Sequence, residues 1–310
     1  MIYEEYYGKR ISKSDLEKHN QFWEQMKGYV ASMECIGNQS VIGNLWDQKT
    51  FTFSDDMLKL VAAFTMLLDH AASGILAYCL NNIPLNDDVW EMLHKMYSDL
   101  RVIGRIAFPL FCFLLIHGFM HTHSRLKYAG NLLLFALLSE LPFDFLFYDG
   151  IDFAHQNVFW TLLIGLLMIW ALEAVNQSNV KMILKYASSL PVIAAGIKMS
   201  MVLNTDYAWT GVLLILGLYL FREKKGLQCT IPFVVFFIAR VLRNVELGYY
   251  SFGTQVIRET FKLYWSIVIS AFMIWRCNGK RYIKRGKYFF YAFYPVHLAI
   301  LYLIKVLLGA

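Results

Sequence analysis

Long apolar segments, separated by short polar stretches, follow one another along the chain from residue 58 almost to the C-terminus. At about 1.5 Å rise per residue the first segment, Leu58 to Leu80, reaches roughly 34 Å as a helix, enough to cross a bilayer. The pattern predicts nine crossings, with eight or ten as alternatives because several segments are short or contain Pro or Gly. The other eight segments are 103–120, 131–148, 158–174, 183–203, 209–221, 231–247, 263–275 and 289–308.

Composition supports the same class, since 57% of the residues are hydrophobic and only 17% are charged. This balance excludes an ordinary soluble domain. We therefore predict an all-α fold, a polytopic membrane helix bundle with about nine (eight to ten) transmembrane helices and a short cytoplasmic N-terminal extension. The five cysteines show neither paired nor metal-type spacing, so we expect no disulfide framework and no metal site.

The chain divides into residues 1–56, an N-terminal extension, and residues 57–310, the membrane domain. The extension lacks the short apolar core of a signal peptide. It contains a capping-box pattern at Ser14 to Glu17, followed by apolar residues at helical spacing. We expect an amphipathic helix that lies on the membrane or on the bundle.

Basic residues alternate from loop to loop, and Lys and Arg are retained on the cytoplasmic side of a membrane. We therefore predict a multi-pass protein of the bacterial cytoplasmic membrane with its N-terminus inside. The surplus of Lys and Arg in the predicted cytoplasmic loops suits either anionic lipids or an anionic ligand. We expect the lipid bilayer as a partner and no nucleic acid. The inner loops hold Arg125, Lys127, Lys181, Lys185, Arg222, Lys224, Lys225 and the cluster 276–287, whereas the outer loops hold Lys95, Arg101, Lys198, Arg258 and Lys262.

Ionisable side chains inside the predicted spans are the candidates for a functional site, because each costs several kcal/mol in lipid unless it is paired. Asp69 and His70 stand side by side near the middle of the first span. In the predicted orientation the other polar residues converge on the middle and outer half of the bundle, as expected for one buried site. They are Arg105, Glu140, Asp144, Asn157, Arg240, Arg243 and His297.

Helix geometry limits which of these residues can pair. Neighbours on a helix do not face one another, so Asp69 and His70 need separate partners. We expect Asp69 to pair with Arg105 or another intramembrane arginine, and His70 to face a reaction cavity as a catalytic base. Arg105 either pairs with that carboxylate or contacts the substrate. Glu140 likewise has a structural alternative and a substrate-contacting one. The candidate catalytic residues are therefore His70, Asp69, Arg105 and Glu140, with a satisfied structural histidine as the alternative for His70.

Several of these residues belong to motifs through which the chain resembles the TraX family of bacterial membrane proteins, over about residues 57–310. The resemblance rests on Leu58-Lys59-Leu60, Met66 to His70, Gly104 to Phe111, Lys127-Tyr128, Ser139 to Asp144, Asn157 to Phe159, Asp206 to Trp209, Gly211 and Tyr291 to Leu298.

The resemblance implies a transmembrane acetyltransferase. TraX proteins are implicated in N-terminal acetylation of conjugative pilin. They are similar to transmembrane acyltransferases whose first span carries a basic residue eleven positions before a histidine, as Lys59 and His70 do here. Cytoplasmic acetyl-CoA would be the donor, and the acceptor an extracytoplasmic peptide amine or glycan hydroxyl. The candidate residues for binding acetyl-CoA are Lys59, Arg125, Lys127, Arg240 and His297, although core packing with bonded ring nitrogens is the alternative for His297.

In this hypothesis the basic residues hold the phosphates of CoA, and neutral His70 removes a proton from the acceptor. Arg105 or Arg240 stabilises the oxyanion at the thioester carbonyl. Two other classes account for the same intramembrane charges. A proton-coupled transporter would place them at midplane depth, and a non-catalytic assembly protein would keep them as buried ion pairs.

Overall fold

The structure is a computed structural model, and it describes residue 21 and residues 46–47, 52–246, 261, 265–283 and 287–309. The chain divides into two compact units, Met1–Thr52 and Phe53–Ala310. Two short strands are present, β1 (Trp46–Asp47) and β2 (Thr52–Phe53). Except for residue 21, the predicted amphipathic helix lies outside the described residues. The predicted boundary after residue 56 stays a prediction.

The second unit is helical, with short connections between the helices. A single π-helical turn, Ala72–Leu76, joins the first two helices into one rod. In chain order the helices are α1 (Asp55–Ala71), α2 (Ala77–Asn82), α3 (Asp87–Gly104), α4 (Ala107–His121), α5 (Arg125–Tyr148), α6 (Val158–Gln177), α7 (Met182–Val202), α8 (Ala208–Leu220), α9 (Lys225–Glu246), α10 (Ile267–Trp275) and α11 (Lys287–Leu307).

Within the described part of the chain, 7 helical rods are long and apolar enough to cross a membrane. The apolar helix α8 is shorter, and α10 has 9 residues. Each of the nine segments predicted from hydropathy overlaps a helix or a helical rod among the described residues, and residues 247 and 263–264 of two segments lie outside them. The predicted helical membrane bundle is confirmed. The spans are Asp55–Asn82, Asp87–His121, Arg125–Tyr148, Val158–Gln177, Met182–Val202, Lys225–Asn244 and Tyr288–Leu307.

Polar residues at the helix ends explain where several spans begin. The Ser54 side chain accepts a hydrogen bond from the backbone N–H of Met57, and two carboxylates, Asp55 and Asp56, follow in the first turn of α1. Negative charge is favourable there because the helix N-terminus carries partial positive charge. Asn157 caps α6 in the same way through the N–H of Phe159. These caps satisfy backbone groups that the apolar part of a membrane cannot hydrate.

The connections gather into two groups at opposite ends of the bundle. At one end the backbones of Phe53 and Asp55 bond to residues 276–280, and Lys225 donates to the carbonyl of Cys277. We call this the basic end, since it also carries Arg222, Lys224, Lys280 and Arg281. At the other end residues 203–207 bond to Gln156, and we call this the acidic end because it carries Asp149, Asp152 and Asp206.

The second span is longer than the apolar pattern predicts. It begins at Asp87 and not at Ile103, and a turn at Arg105 separates α3 from α4. The first turns of α3 are amphipathic, with acidic residues beside exposed Trp90, so their hydropathy is too low to indicate a span. At about 1.5 Å per residue the whole rod reaches roughly 50 Å, well beyond the hydrocarbon core.

Close helix packing brings the elements of the site together. α11 packs on α5, α4 packs on α1, and α8 packs on α6. Small residues permit the tightest approaches: a Cβ added at Gly211 of α8 would lie 2.5 Å from Thr161 of α6 and 2.9 Å from Phe108 of α4. Membrane helices associate through such close packing because lipid supplies no hydrophobic force between them.

Candidate functional site

A cavity of about 850 Å³ runs through the bundle from the basic end toward the acidic end. Its lining includes Lys59, His123 and Arg281 at the basic end and Asp206 at the acidic end, with aromatic and aliphatic side chains between them. The volume lies in the range of small-molecule and cofactor sites. The cavity therefore has polar groups toward both ends, and its largely apolar wall is interrupted by His70, Asp69, Arg101 and Arg105.

His70, predicted as the catalytic base, lines this cavity from α1 and is 8% exposed. Its Nδ1 lies 2.8 Å from Nε2 of His297. Phe147 and Tyr294 hold the ring edge to face, with centroids 5.6 Å and 5.7 Å away. Because both flanking rings are large and packed, the imidazole has little freedom to rotate.

His297 lies on α11 behind His70 and is not among the residues that line the cavity. Its Nδ1 bonds to the carbonyl oxygen of Phe293, 2.7 Å away, and the side chain is 4% exposed. Both ring nitrogens are thus bonded, as in the packing alternative predicted for this residue. The cofactor-binding alternative has no support in this placement.

Asp69 forms its ion pair with Arg101, with Nη1 2.6 Å from Oδ2. This is the second of the two predicted alternatives, an intramembrane arginine other than Arg105. Arg101 was predicted to lie in an outer loop, which is wrong: it lies on α3 and lines the cavity. Gly104 lets the two helices meet here, since a Cβ added to it would lie 2.3 Å from Asp69 Oδ1. Arg105 also lines the cavity, beside this pair.

Asp206 and Tyr207 reach the cavity from the connection between α7 and α8. Asn204, Tyr207 and Ala208 all have positive φ, between 38° and 64°, a backbone conformation that costs energy for residues with a side chain. The loop is held by Gln156 and by Thr161, whose hydroxyl donates to the Asp206 carbonyl. Burial, and then the negative charge of Asp69, raise the pKa of Asp206 to about 6.

Tyr207 stacks on Phe108, with ring planes 2° apart and centroids 3.7 Å apart. The stack forms one wall of the cavity near Asp206. No described side chain forms an ion pair within 4.0 Å of the Asp206 carboxylate, although the positive charges of Arg105 and Arg101 act on it and the backbone N–H of Tyr207 bonds to it. Asp206 lines the cavity, where a ligand can contact it.

At the basic end, two carboxylates of α1 hold residues 281–283, part of which lines the cavity. Asp55 accepts from Arg281 Nε and from His117 Nδ1, each at 2.8 Å. Asp56 accepts from Lys59 Nζ at 2.9 Å and from two backbone N–H groups of residues 282–283. Lys59 and Arg281 are therefore oriented by these carboxylates and line the entrance.

Cys277 packs against this network, with its thiol 3.6 Å from Asp55 Oδ1. Burial is the first reason that the pKa of Cys277 is raised, to about 12. The sulfur is therefore a thiol at neutral pH and not an activated nucleophile. Among the described residues, the only part of the predicted 276–287 cluster that reaches the cavity is residues 281 and 283.

Glu140, a predicted catalytic candidate, does not line the cavity. Its carboxylate accepts from Trp160 Nε1 at 2.8 Å and from Asn157 Nδ2 at 2.5 Å. These bonds join α5 to the capped start of α6, so the structure places Glu140 in a helix-joining role. Asp144, one turn later on the same helix, accepts from the backbone N–H of Asp152 instead.

Three of the predicted acetyl-CoA contacts also lie outside the cavity lining. The guanidinium of Arg125 lies over the ring of Phe119, 4.4 Å from its centroid. Lys127 is exposed on the first turn of α5, and Arg240 is half-buried on α9. Lys59 is the member of that predicted set which lies at the entrance.

Sequence reasoning missed Arg101, Asp206 and Tyr207 as site residues. Arg101 and Arg105 are four residues apart, the spacing of one helix face, and this signal was available before the span boundary was known. Asp206 and Tyr207 were noted only as part of a family motif. For Arg281 the basic cluster gave the region but not the residue.

Comparisons with known proteins identify the family of this chain. A probable fimbrial assembly protein FimC, serogroup H1, from Dichelobacter nodosus is 27% identical over 278 residues, which cover 84% of this chain and 99% of that protein. No solved structure matches the chain. The family model described as TraX protein matches residues 54–305, which is most of the sequence and all of the cavity. The chain therefore belongs to the TraX family.

Proposed function

We propose that this membrane protein is an acetyltransferase that carries an acetyl group from cytoplasmic acetyl-CoA to an acceptor on the other side of the membrane. The observation that carries the proposal is the cavity, which has cations at one end, His70 along its wall, and the Asp206 carboxylate toward the other end. A cavity with polar groups toward both ends would allow two substrates that enter from opposite sides to meet without either crossing the bilayer.

In the proposed orientation the N-terminus and the basic end face the cytoplasm of a bacterial inner membrane. Lys59 and Arg281 at the entrance, with His121 and His123 beside them, suit the phosphates of CoA. The apolar middle suits the pantetheine arm and excludes water from the thioester. Lys59 and Arg281 are partly neutralised by Asp56 and Asp55, so they orient the phosphates more than they raise the local positive charge.

His70 acts as the general base. It takes the proton of the acceptor amine or hydroxyl as the acceptor attacks the thioester carbonyl, forming the new C–N or C–O bond. The C–S bond then breaks, and the imidazolium returns its proton to the CoA thiolate. Arg105, which lines the cavity beside the Asp69–Arg101 pair, stabilises the oxyanion that forms on the carbonyl.

The acceptor site lies at the acidic end, where Asp206 faces the cavity with no ion-pair partner among the described side chains. At neutral pH a carboxyl group with a pKa of about 6 is mostly ionised and attracts an amine. The fimbrial assembly name of the relative favours a pilin-like N-terminal amine over a glycan hydroxyl. The same name favours a second candidate, an assembly protein that does no chemistry.

Purified protein in micelles, incubated with radiolabelled acetyl-CoA, tests the proposal. The acceptors are a synthetic fimbrial-subunit N-terminal peptide with a free amine, the same peptide with its amine blocked, and a disaccharide. We expect transfer to the free amine and a loss of about 10²–10⁴-fold in His70→Ala. His94→Ala, an exposed residue outside the cavity lining, is the matched control and should behave as wild type.

Undiminished transfer by His70→Ala would show that another group is the base. If wild type transfers acetyl to none of the acceptors and does not retain labelled acetyl-CoA in equilibrium dialysis, the enzyme proposal fails and the assembly protein remains.

A further inference from the structure

The hydrogen bonds behind His70 determine which of its nitrogens carries a proton. The carbonyl oxygen of Phe293 can only accept, so the Nδ1 of His297 that bonds to it must be protonated. In a neutral imidazole the other nitrogen is then an acceptor, and this is the Nε2 that faces His70 at 2.8 Å. His70 Nδ1 therefore donates this bond, and the lone pair of His70 is on Nε2.

The geometry of the two rings fits a hydrogen bond in the ring plane. Their planes are 7° apart and their centroids are 5.0 Å apart. An N–N distance of 2.8 Å within that centroid distance places the rings edge to edge and not face to face. The Nδ1–H bond of His70 thus points along the lone pair of His297, where such a bond is strongest.

The alternative is a doubly protonated His297 that donates to His70. It would be a cation 4% exposed, and neither ring bonds to a carboxylate among the residues that the structure describes. Such a charge is expensive inside a membrane domain. The neutral pair needs no counter-ion and satisfies three of the four ring nitrogens, leaving His70 Nε2 for the cavity.

We infer that His297 is a positioning residue, which acts on the reaction through the hydrogen bond that keeps His70 in its Nδ1–H tautomer with a basic Nε2 toward the cavity. The inference rests on the proposed function, in which His70 is the base. His297 touches neither substrate, because it lies behind His70 and outside the cavity lining. The bond to Phe293 in turn fixes His297, so a chain of two hydrogen bonds connects a backbone carbonyl to the ring that carries the reacting nitrogen.

Two amide substitutions at this position distinguish a residue that sets the tautomer of His70 from one that only packs against it. His297→Gln places its amide oxygen near the position of Nε2, where it accepts from His70. His297→Asn places its amide near Nδ1, where it keeps the bond to Phe293 but does not reach His70. If His297 has a purely structural role, His297→Asn, which keeps the bond to Phe293, should have a kcat at least as high as that of His297→Gln.

We expect His297→Asn to lower kcat by roughly 10²–10³-fold, since a histidine base that is no longer held in its productive tautomer and orientation is severely impaired, and to leave the KM for acetyl-CoA almost unchanged. His297→Gln should keep kcat within about ten-fold of wild type. The same preparations, labelled with ¹⁵N-histidine in proteoliposomes, give the tautomer of His70 directly by NMR, with His70→Ala identifying its signals.

The inference is supported if His70 carries its proton on Nδ1, with Nε2 unprotonated, in wild type and in His297→Gln, and if this tautomer is no longer dominant in His297→Asn. A protonated Nε2 in wild type overturns it, as does an Asn variant as active as the Gln variant. If wild type shows no acetyl transfer, the proposed function fails on its own, because the NMR result still decides whether His297 sets the tautomer.

Discussion

Replacing Gly104 with Ala tests whether the close contact between α1 and α3 holds the charged part of the cavity together. A Cβ built at Gly104 lies 2.3 Å from both Cβ and Oδ1 of Asp69 and 2.6 Å from its Cγ. Carbon atoms approach one another at about 3.5–4.0 Å, so the two groups must separate by at least about 1 Å. A rotamer change does not relieve the clash, because the Cβ of Asp69 is fixed to the backbone.

The separation affects the ion pair behind the contact. Arg101 Nη1 and Asp69 Oδ2 are 2.6 Å apart, and a shift of about 1 Å takes them beyond hydrogen-bonding distance. Overpacking costs about 1–3 kcal/mol, and a loosened, half-buried ion pair adds to this. We expect a loss of about 2–4 kcal/mol in the free energy of unfolding, or roughly 3–6 °C in the melting temperature for a chain of this size.

Thermal unfolding of purified protein in micelles, followed by fluorescence at one scan rate, measures the effect. Gly130→Ala is the matched control, since a Cβ added at that helical position meets nothing within 4 Å. We expect it to melt within about 2 °C of wild type. Combined with Arg101→Met, Gly104→Ala should cost less than the sum of the two single changes, because both remove the same ion pair. Equal melting temperatures for Gly104→Ala and Gly130→Ala would refute the packing argument.

Two further predictions concern buried charge. The pKa of Asp206 is raised in the folded protein, to about 6, so its carboxylate weakens the folded state above pH 6 and the penalty fades toward pH 4. Asp206→Asn should therefore raise the stability by about 1–2 kcal/mol at pH 8 and by about half as much at pH 5, and equal gains at both pH values would contradict this. Lys305 is 4% exposed and donates to exposed Asp149 and to the carbonyl of Leu146. Asp149→Asn leaves a buried ammonium without its counter-ion and should lower the free energy of unfolding by about 2–3 kcal/mol, whereas Lys305→Met should lower it by under about 1 kcal/mol. Chemical unfolding measures both, and a larger loss for Lys305→Met would contradict the prediction.

The helices could be predicted from the sequence because each depends on the transfer of its own side chains into lipid. Every predicted apolar segment overlaps a described helix. The second span is longer than its predicted segment, and this difference has a local cause. Residues 87–102 are amphipathic and partly exposed, so a hydropathy pattern places the start of the second span at Ile103. The same error put Arg101 in a loop, and with it the partner of Asp69 was missed.

The candidate site was only partly predictable. The scarcity of ionisable residues in apolar segments pointed to Asp69, His70 and Arg105, and all three line the cavity. The same criterion selected Glu140, which the structure pairs with Asn157 and Trp160 at a helix junction. Residue type and depth do not distinguish a side chain that faces a cavity from one that joins two helices.

By itself, the sequence determined a helical membrane bundle with a polar interior, because hydrophobic transfer is a property of each segment taken alone. Only the tertiary structure decided that His297 holds His70 across 227 residues of chain, that Arg101 holds Asp69, and that a loop of strained backbone brings Asp206 to the cavity. These partners depend on how helices pack and rotate against one another, and the packing is set by contacts between residues far apart in sequence.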